Sequence, residues 1–151
     1  GLCLISGHAG SVAKGSVQNQ LQIPLIKLGL LSAILSSKTL GRAFVRSLFG
    51  KVAPKAQVEA MRRIVAGHDT REAVALVNFQ IKEDYYPGLS RIDVPTVVLS
   101  GARDKTCPRW HAERLGAEIP SATNLWLPDV GHMVVYEAPD AIVQQIMGLF
   151  V

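Results

Sequence analysis

Two residues in the last third of this sequence have types and settings suited to acid–base chemistry. Asp104 stands in the run Gly101-Ala102-Arg103-Asp104-Lys105-Thr106-Cys107-Pro108, directly after the apolar stretch Thr96-Val97-Val98-Leu99-Ser100. His132 stands in Asp129-Val130-Gly131-His132-Met133, a few residues beyond Asn124-Leu125-Trp126-Leu127. Each has an ordinary explanation when taken alone, because Asp is common in solvated turns and a loop His is more often structural. The pair says more. If both stretches are parallel strands, Asp104 and His132 leave neighbouring carboxyl ends, where open parallel sheets gather their functional groups. A carboxylate placed there orients the imidazole and stabilises its protonated form, which is how a histidine is prepared to activate a nucleophile.

The elements that must position the pair can be read from texture. Gly1 to Ser6 is a short apolar run, a buried strand ended by Gly7-His8-Ala9-Gly10. Residues 11 to 86 carry apolar residues at spacings of three and four, which predicts helices. Leu40, Phe44, Val45, Leu48 and Phe49 form one expected stripe, and Val58, Met61, Ile64 and Val65 a second, behind Pro54 at a first-turn position. Asp69 or Thr70 caps a further helix bearing Val74, Val77 and Ile81. From Ile92 onward a strand, a helix through Ala112 and Leu115, and a strand at 124–127 form a βαβ unit. A final helix from Pro139 carries Ile142, Val143, Ile146, Met147 and Phe150. Three buried-type strands joined through helices predict an α/β fold with a parallel sheet.

Composition sets the bounds. The chain has 151 residues, 48% of them hydrophobic, enough for one globular core and unlike a disordered or coiled-coil sequence. The net charge is +4, but the sixteen Lys and Arg are scattered without aromatic interleaving, so no nucleic-acid partner is expected. Cys3 and Cys107 give neither a disulfide framework nor metal-ligand spacing, so no metal is expected and a reducing, cytoplasmic compartment is the default. The apolar stretch from Ile23 to Leu35 is broken by Pro24, Lys27, Gly29 and Ser32 and falls short of the ~20 residues of a spanning helix.

In order and spacing, Val94-Pro95 before a strand, Gly101-x-x-Asp104-x-x-x-Pro108, Ile119-Pro120 and Gly131-His132-x-x-x-x-Glu137-x-Pro139 resemble the C-terminal third of the α/β-hydrolase family. The resemblance implies a partial α/β-hydrolase fold. Residues 1–10 are then a core strand and loop, 11–88 an inserted helical cap, and 89–151 the C-terminal part of the core. It makes Asp104 the triad acid and His132 the general base, with Glu137 and Pro139 structural at the start of the final helix. His8, just past the first strand, is a candidate for the substrate pocket, with a solvated or capping role as the plain alternative. Tyr85 and Tyr86 are expected to pack at the junction of cap and core, Trp126 to be core, and Cys107 to be inert.

The family's nucleophile sits on a strand-to-helix turn of the form Gly-x-Ser-x-Gly, and the sequence contains none: Ser6, Ser11, Ser16 and Ser100 lack the paired glycines. Family chain order places it before Gly1. The resemblance thus implies a serine-dependent carboxylic-ester hydrolase acting on a small molecule without a cofactor. Haloalkane dehalogenase, epoxide hydrolase, C–C bond hydrolase and haloperoxidase chemistry remain alternatives with other nucleophiles. The chain opens on a buried strand without Met, so it is expected to be part of a longer protein and inactive alone. A non-catalytic truncated product or interaction module is the remaining alternative. A sheet lacking earlier strands would also expose an edge and apolar surface.

Overall fold

The computed structural model describes residues 1–10 and 17–150. Strands β1 (Leu2–Ile5), β2 (Thr96–Gly101) and β3 (Ala122–Leu127) form a parallel sheet in the order β1-β2-β3. Leu2 pairs with Thr96 and Thr96 with Ala122, so the strands start level and their carboxyl ends share one edge. β2 is covered on both faces, with Val98 and Leu99 at most 1% exposed, as the middle strand of a parallel sheet requires.

Between β1 and β2 run α1 (Val17–Lys27), α2 (Leu30–Ser36), α3 (Lys38–Arg46), α4 (Lys55–Ala66) and α5 (Thr70–Lys82). The expected helical start at residue 11, with Ser11 and Ser16, lies outside the described residues. Gly29, at φ 71°, makes the left-handed break that separates α1 from α2 within the long apolar stretch. Ser37 and Asp69 cap α3 and α5 by accepting from Leu40 N and Arg71 N. A 3-10 turn at Tyr86–Arg91 leads into β2, α6 (Arg109–Glu118) crosses to β3, and α7 (Val134–Glu137) and α8 (Pro139–Gly148) follow.

Three of the expected stripes need correction. Val45 and Phe49 are buried, but Leu40 is exposed, because it lies about 140° around α3 from Val45, whose buried neighbour is Gly41. Ile64 is also exposed, while Val58, Met61 and Val65 share the inward face of α4. On α8, Val143 and Met147 are exposed and no residue is fully buried. Among the described residues the outer edge of β1 has no partner strand.

Two cores result. One joins α2, α3 and α4 around Leu35, Val45, Phe49 and Val58, where Arg62 ties α4 to α2 by donating to Leu35 O at 2.7 Å. The other lies between the sheet and α6, with Val98, Leu115 and Ile119 packed against Tyr86, and Trp126 half-buried at its margin. Tyr86 packs as expected, whereas Tyr85 is half-exposed. Within this second core Tyr86 Oη and His111 Nδ1 share a hydrogen bond of 2.5 Å, and Trp110 stacks on the imidazole at 3.7 Å. His111 is fully buried and its Nε2 has no partner among the described residues.

Burial, helped by the nearby His8 and Arg114, pushes the His111 pKa from 6.5 down to about 4. The unfolded chain therefore binds a proton that the folded one refuses between these values. The corresponding stability is present above pH 6.5 and is lost as pH falls toward 4. Denaturant midpoints measured from pH 7.5 to pH 4 should show this acid loss, with a His111 share of about 3 kcal/mol at most. In His111→Gln the pH dependence should flatten, and an unchanged slope would refute the assignment.

Candidate active site

The chemistry-bearing residues leave the carboxyl ends of three adjacent parallel strands: Ser6 and His8 after β1, Asp104 after β2, and His132 after β3. The structure brings Asp104 and His132 together. His132 Nδ1–H donates to Asp104 Oδ2 at 2.9 Å. The other carboxylate oxygen accepts from Thr106 N and Cys107 N, each at 2.8 Å. The Asp104 side chain is 3% exposed and that of His132 is 30% exposed. A buried carboxylate filled on both oxygens cannot turn away from the ring, so it fixes the tautomer with Nε2 as the free base.

The histidine loop is held in place by close backbone contact. Gly50, Gly101 and Gly131 meet where the turn after α3 crosses the segment that follows β3. A Cβ on Gly50 would fall 2.7 Å from Gly131 N, and one on Gly131 would fall 2.6 Å from Leu48 O. No larger residue fits these crossings. His132 N donates to Leu48 O at 2.7 Å, and Arg103 N to Val130 O at 2.9 Å. Glu137 closes the junction, accepting from Gly50 N at 2.7 Å and from Gly131 N at 2.9 Å. Glu137 thus does more than lead into α8, whose first residue is Pro139.

His132 lines a cavity of about 410 Å3 together with Ser6, His8 and Gln80 and the apolar Ile23, Ile26 and Val77. His8 is half-buried there, and its Nδ1 is buried without a partner among the described residues. Burial lowers its pKa, opposed by a hydrogen bond to the Gly10 backbone, and the nearby His132 lowers it further. Ser6 holds a left-handed backbone, φ 45°, with a buried hydroxyl that has no partner among the described residues. Nothing in its sequence context signals that conformation. Cys107 Sγ–H donates to Gly7 O at 3.0 Å, and burial, with the charge of Asp104, pushes the thiol up to about 12. It therefore stays protonated at neutral pH. Among the described residues no three His, Cys, Asp or Glu side chains form a metal site, and no helix is long and apolar enough to cross a membrane.

Because Glu137 satisfies two buried N–H groups at once, Glu137→Ala should cost roughly 2–4 kcal/mol by urea denaturation. Glu137→Gln, which keeps one acceptor oxygen, should lose less. A loss below about 0.5 kcal/mol in the alanine variant would show that water replaces the carboxylate.

The sequence profile of the alpha/beta hydrolase family matches residues 4–145. No curated protein sequence matches at a significant level. Among solved structures, an esterase from Exiguobacterium antarcticum is similar at 18% identity and a TM-score of 0.72, over 87% of this chain and 46% of its own. An enol-lactonase from Burkholderia xenovorans LB400 is similar at 22% identity and a TM-score of 0.73, over 98% of this chain and 55% of its own. A thermophilic esterase from Thermogutta terrifontis is similar at 20% identity and a TM-score of 0.71, over 99% and 54%. The chain thus spans about half the length of these structures. With the profile running almost from end to end and the same fold recurring in each, this chain belongs to the α/β-hydrolase family.

Proposed function

We propose that the protein hydrolyses carboxylic esters, with His132 as general base, Asp104 as its orienting acid, and the nucleophile supplied from outside residues 1–151. The observation that carries this reading is the 2.9 Å bond from His132 Nδ1 to a carboxylate whose other oxygen is tied to two backbone N–H groups. That arrangement leaves Nε2 to take a proton from a hydroxyl as its oxygen attacks the ester carbonyl. The imidazolium, stabilised by Asp104, returns the proton to the departing alkoxide, which leaves as the alcohol. Water then attacks the acyl intermediate with the same proton relay and releases the acid. The steps balance without a cofactor. The esterase and enol-lactonase neighbours, all acting by name on ester bonds, support this choice within the family.

In this reading residues 11–88 are a cap over the site, and His8 is a wall of the substrate pocket. With the ring N–H of His8 engaged by the Gly10 backbone, its Nδ1 offers an acceptor to a polar group of the substrate near the reacting carbonyl.

The test is hydrolysis of p-nitrophenyl butyrate by the whole protein. His132→Ala should lower kcat by about 10⁴-fold and Asp104→Asn by a similar factor, with KM little changed. Retained ester hydrolysis in His132→Ala would overturn the reading. If residues 1–151 alone turn over the ester and Ser6→Ala abolishes it, the nucleophile is Ser6 and not an upstream residue.

A further inference from the structure

We propose a second binding site, for a phosphomonoester, in a cleft between α3 and the start of α4; it does not depend on the ester-hydrolase reading. The Lys and Arg stand singly along the sequence, but the fold collects several of them here. Lys38, Arg42 and Arg46 recur every four residues along α3. Like charges at that spacing are neighbours on a helix and repel. Between residues 38 and 63 stand seven Lys and Arg and one acid, Glu59, so this segment carries more positive charge than the +4 of the whole chain. Glu59 is already shared. Its carboxylate accepts from Arg42 Nε at 2.7 Å, Arg62 Nη2 at 2.8 Å and Arg63 Nε at 3.2 Å. One negative charge divided among three guanidiniums leaves the surplus for another anion to answer.

Part of that surplus faces a concave space. A cavity of about 600 Å3 is lined by Arg42, Arg46 and Lys55 with Ala43, Ala53 and Val58, and no carboxylate belongs to its described lining. Both guanidiniums are held by the protein and still keep donors for a ligand. Arg42 reaches Glu59 through Nε, and its terminal nitrogens have no further bond among the described residues. Arg46 donates to Phe49 O, Gly50 O and Lys51 O, which leaves N–H groups over from the five of a guanidinium. Lys55 has no partner among the described residues. Guanidiniums already fixed in place lose little freedom on binding, and the oxygens of one phosphate can accept from both and from the ammonium. The three small apolar side chains leave room for the organic part of the ligand, which a flat anionic surface would not bring into a cleft.

The test is calorimetric titration of phenyl phosphate and of benzoate into the whole protein, in about 0.1 M NaCl so that charges more than about 10 Å apart are screened. At about pH 7.5 phenyl phosphate is largely a dianion, and it should bind at least about tenfold more tightly than the singly charged benzoate. Arg42→Gln and Lys55→Gln should each weaken phenyl phosphate about tenfold. Lys82→Gln removes an equal charge from α5, outside this lining, and should change the affinity less than about twofold. Arg46 is left in place because it holds the turn that supports His132. Both varied positions are exposed, and Lys55→Gln breaks no ion pair, so it decides alone if loss of the Arg42–Glu59 bond unsettles the fold. Equal binding of the two ligands, an equal loss in Lys82→Gln, or no binding of phenyl phosphate at millimolar concentration would overturn the proposal. So would a protein that sediments with phosphatidate vesicles and ignores phenyl phosphate, because the surface charge and not the cleft would then be the binding feature.

Discussion

The close crossing of backbone at Gly50, Gly101 and Gly131 is the constraint on which the site depends. Side chains at these positions would overlap main-chain atoms of the opposing segment. Their absence lets the loop carrying His132 lie directly on the end of β2 and on the turn after α3. Close approach has a cost, because Gly50 N and Gly131 N are then shut away from water. Glu137 answers both with one carboxylate. Ionised oxygens accept more strongly than neutral ones, so a single acid satisfies what two neutral side chains would do less well. This frame places the imidazole against Asp104. That bond selects the tautomer, and the backbone junction selects the position.

Burial acts differently on Asp104, Cys107 and the two histidines His8 and His111. Asp104 can be buried because both of its oxygens are filled, and the contacts that fill them come from the tight turn leading to α6. Cys107, in the same turn, is buried and sits beside the negative Asp104, which together hold it as a thiol. His111 is neutralised by burial and locked by Tyr86, and its ring lies 5.5 Å from that of His8. His8 and His132 both line the cavity, and His111 lies behind His8.

How far the site was legible in the sequence follows from how local its signals are. Asp104 and His132 could be found because each follows a strand by a short interval and lies close to a glycine, so periodicity and turn chemistry point at them. The parallel order of β1, β2 and β3 was equally legible from short β-branched runs separated by helical spacing. Glu137 was legible as a structural residue, but its partner at Gly50 is 87 positions away, and no spacing rule reaches that far. Gly50 was passed over for the same reason. The left-handed Ser6 carries no glycine or asparagine to announce it, and His111 sits in an ordinary helical run. Leu40 and Ile64 were misplaced because apolar type was counted without the angle around the helix, and both point away from the faces that Val45 and Val58 bury.

The same crossing ties the helical segment to the chemistry. Besides its bond from His132 N to Leu48 O, the histidine loop sends the side chain of Met133 into the core formed by Leu35, Val45, Phe49 and Val58. Lys51 N donates to Asp129 O at 2.8 Å, and Arg46 holds the intervening turn by donating to Gly50 O and Lys51 O. A shift of α3 or of the turn that follows it would therefore move His132 relative to Asp104, which is anchored independently from the β2 side. Among the described residues, α1 and α5 line the cavity with side chains such as Ile26 and Val77. Residues 46 to 51 must keep their backbone path if the pair is to meet, whereas the faces of α1 and α5 can change side chains and alter the shape of the pocket without displacing the imidazole.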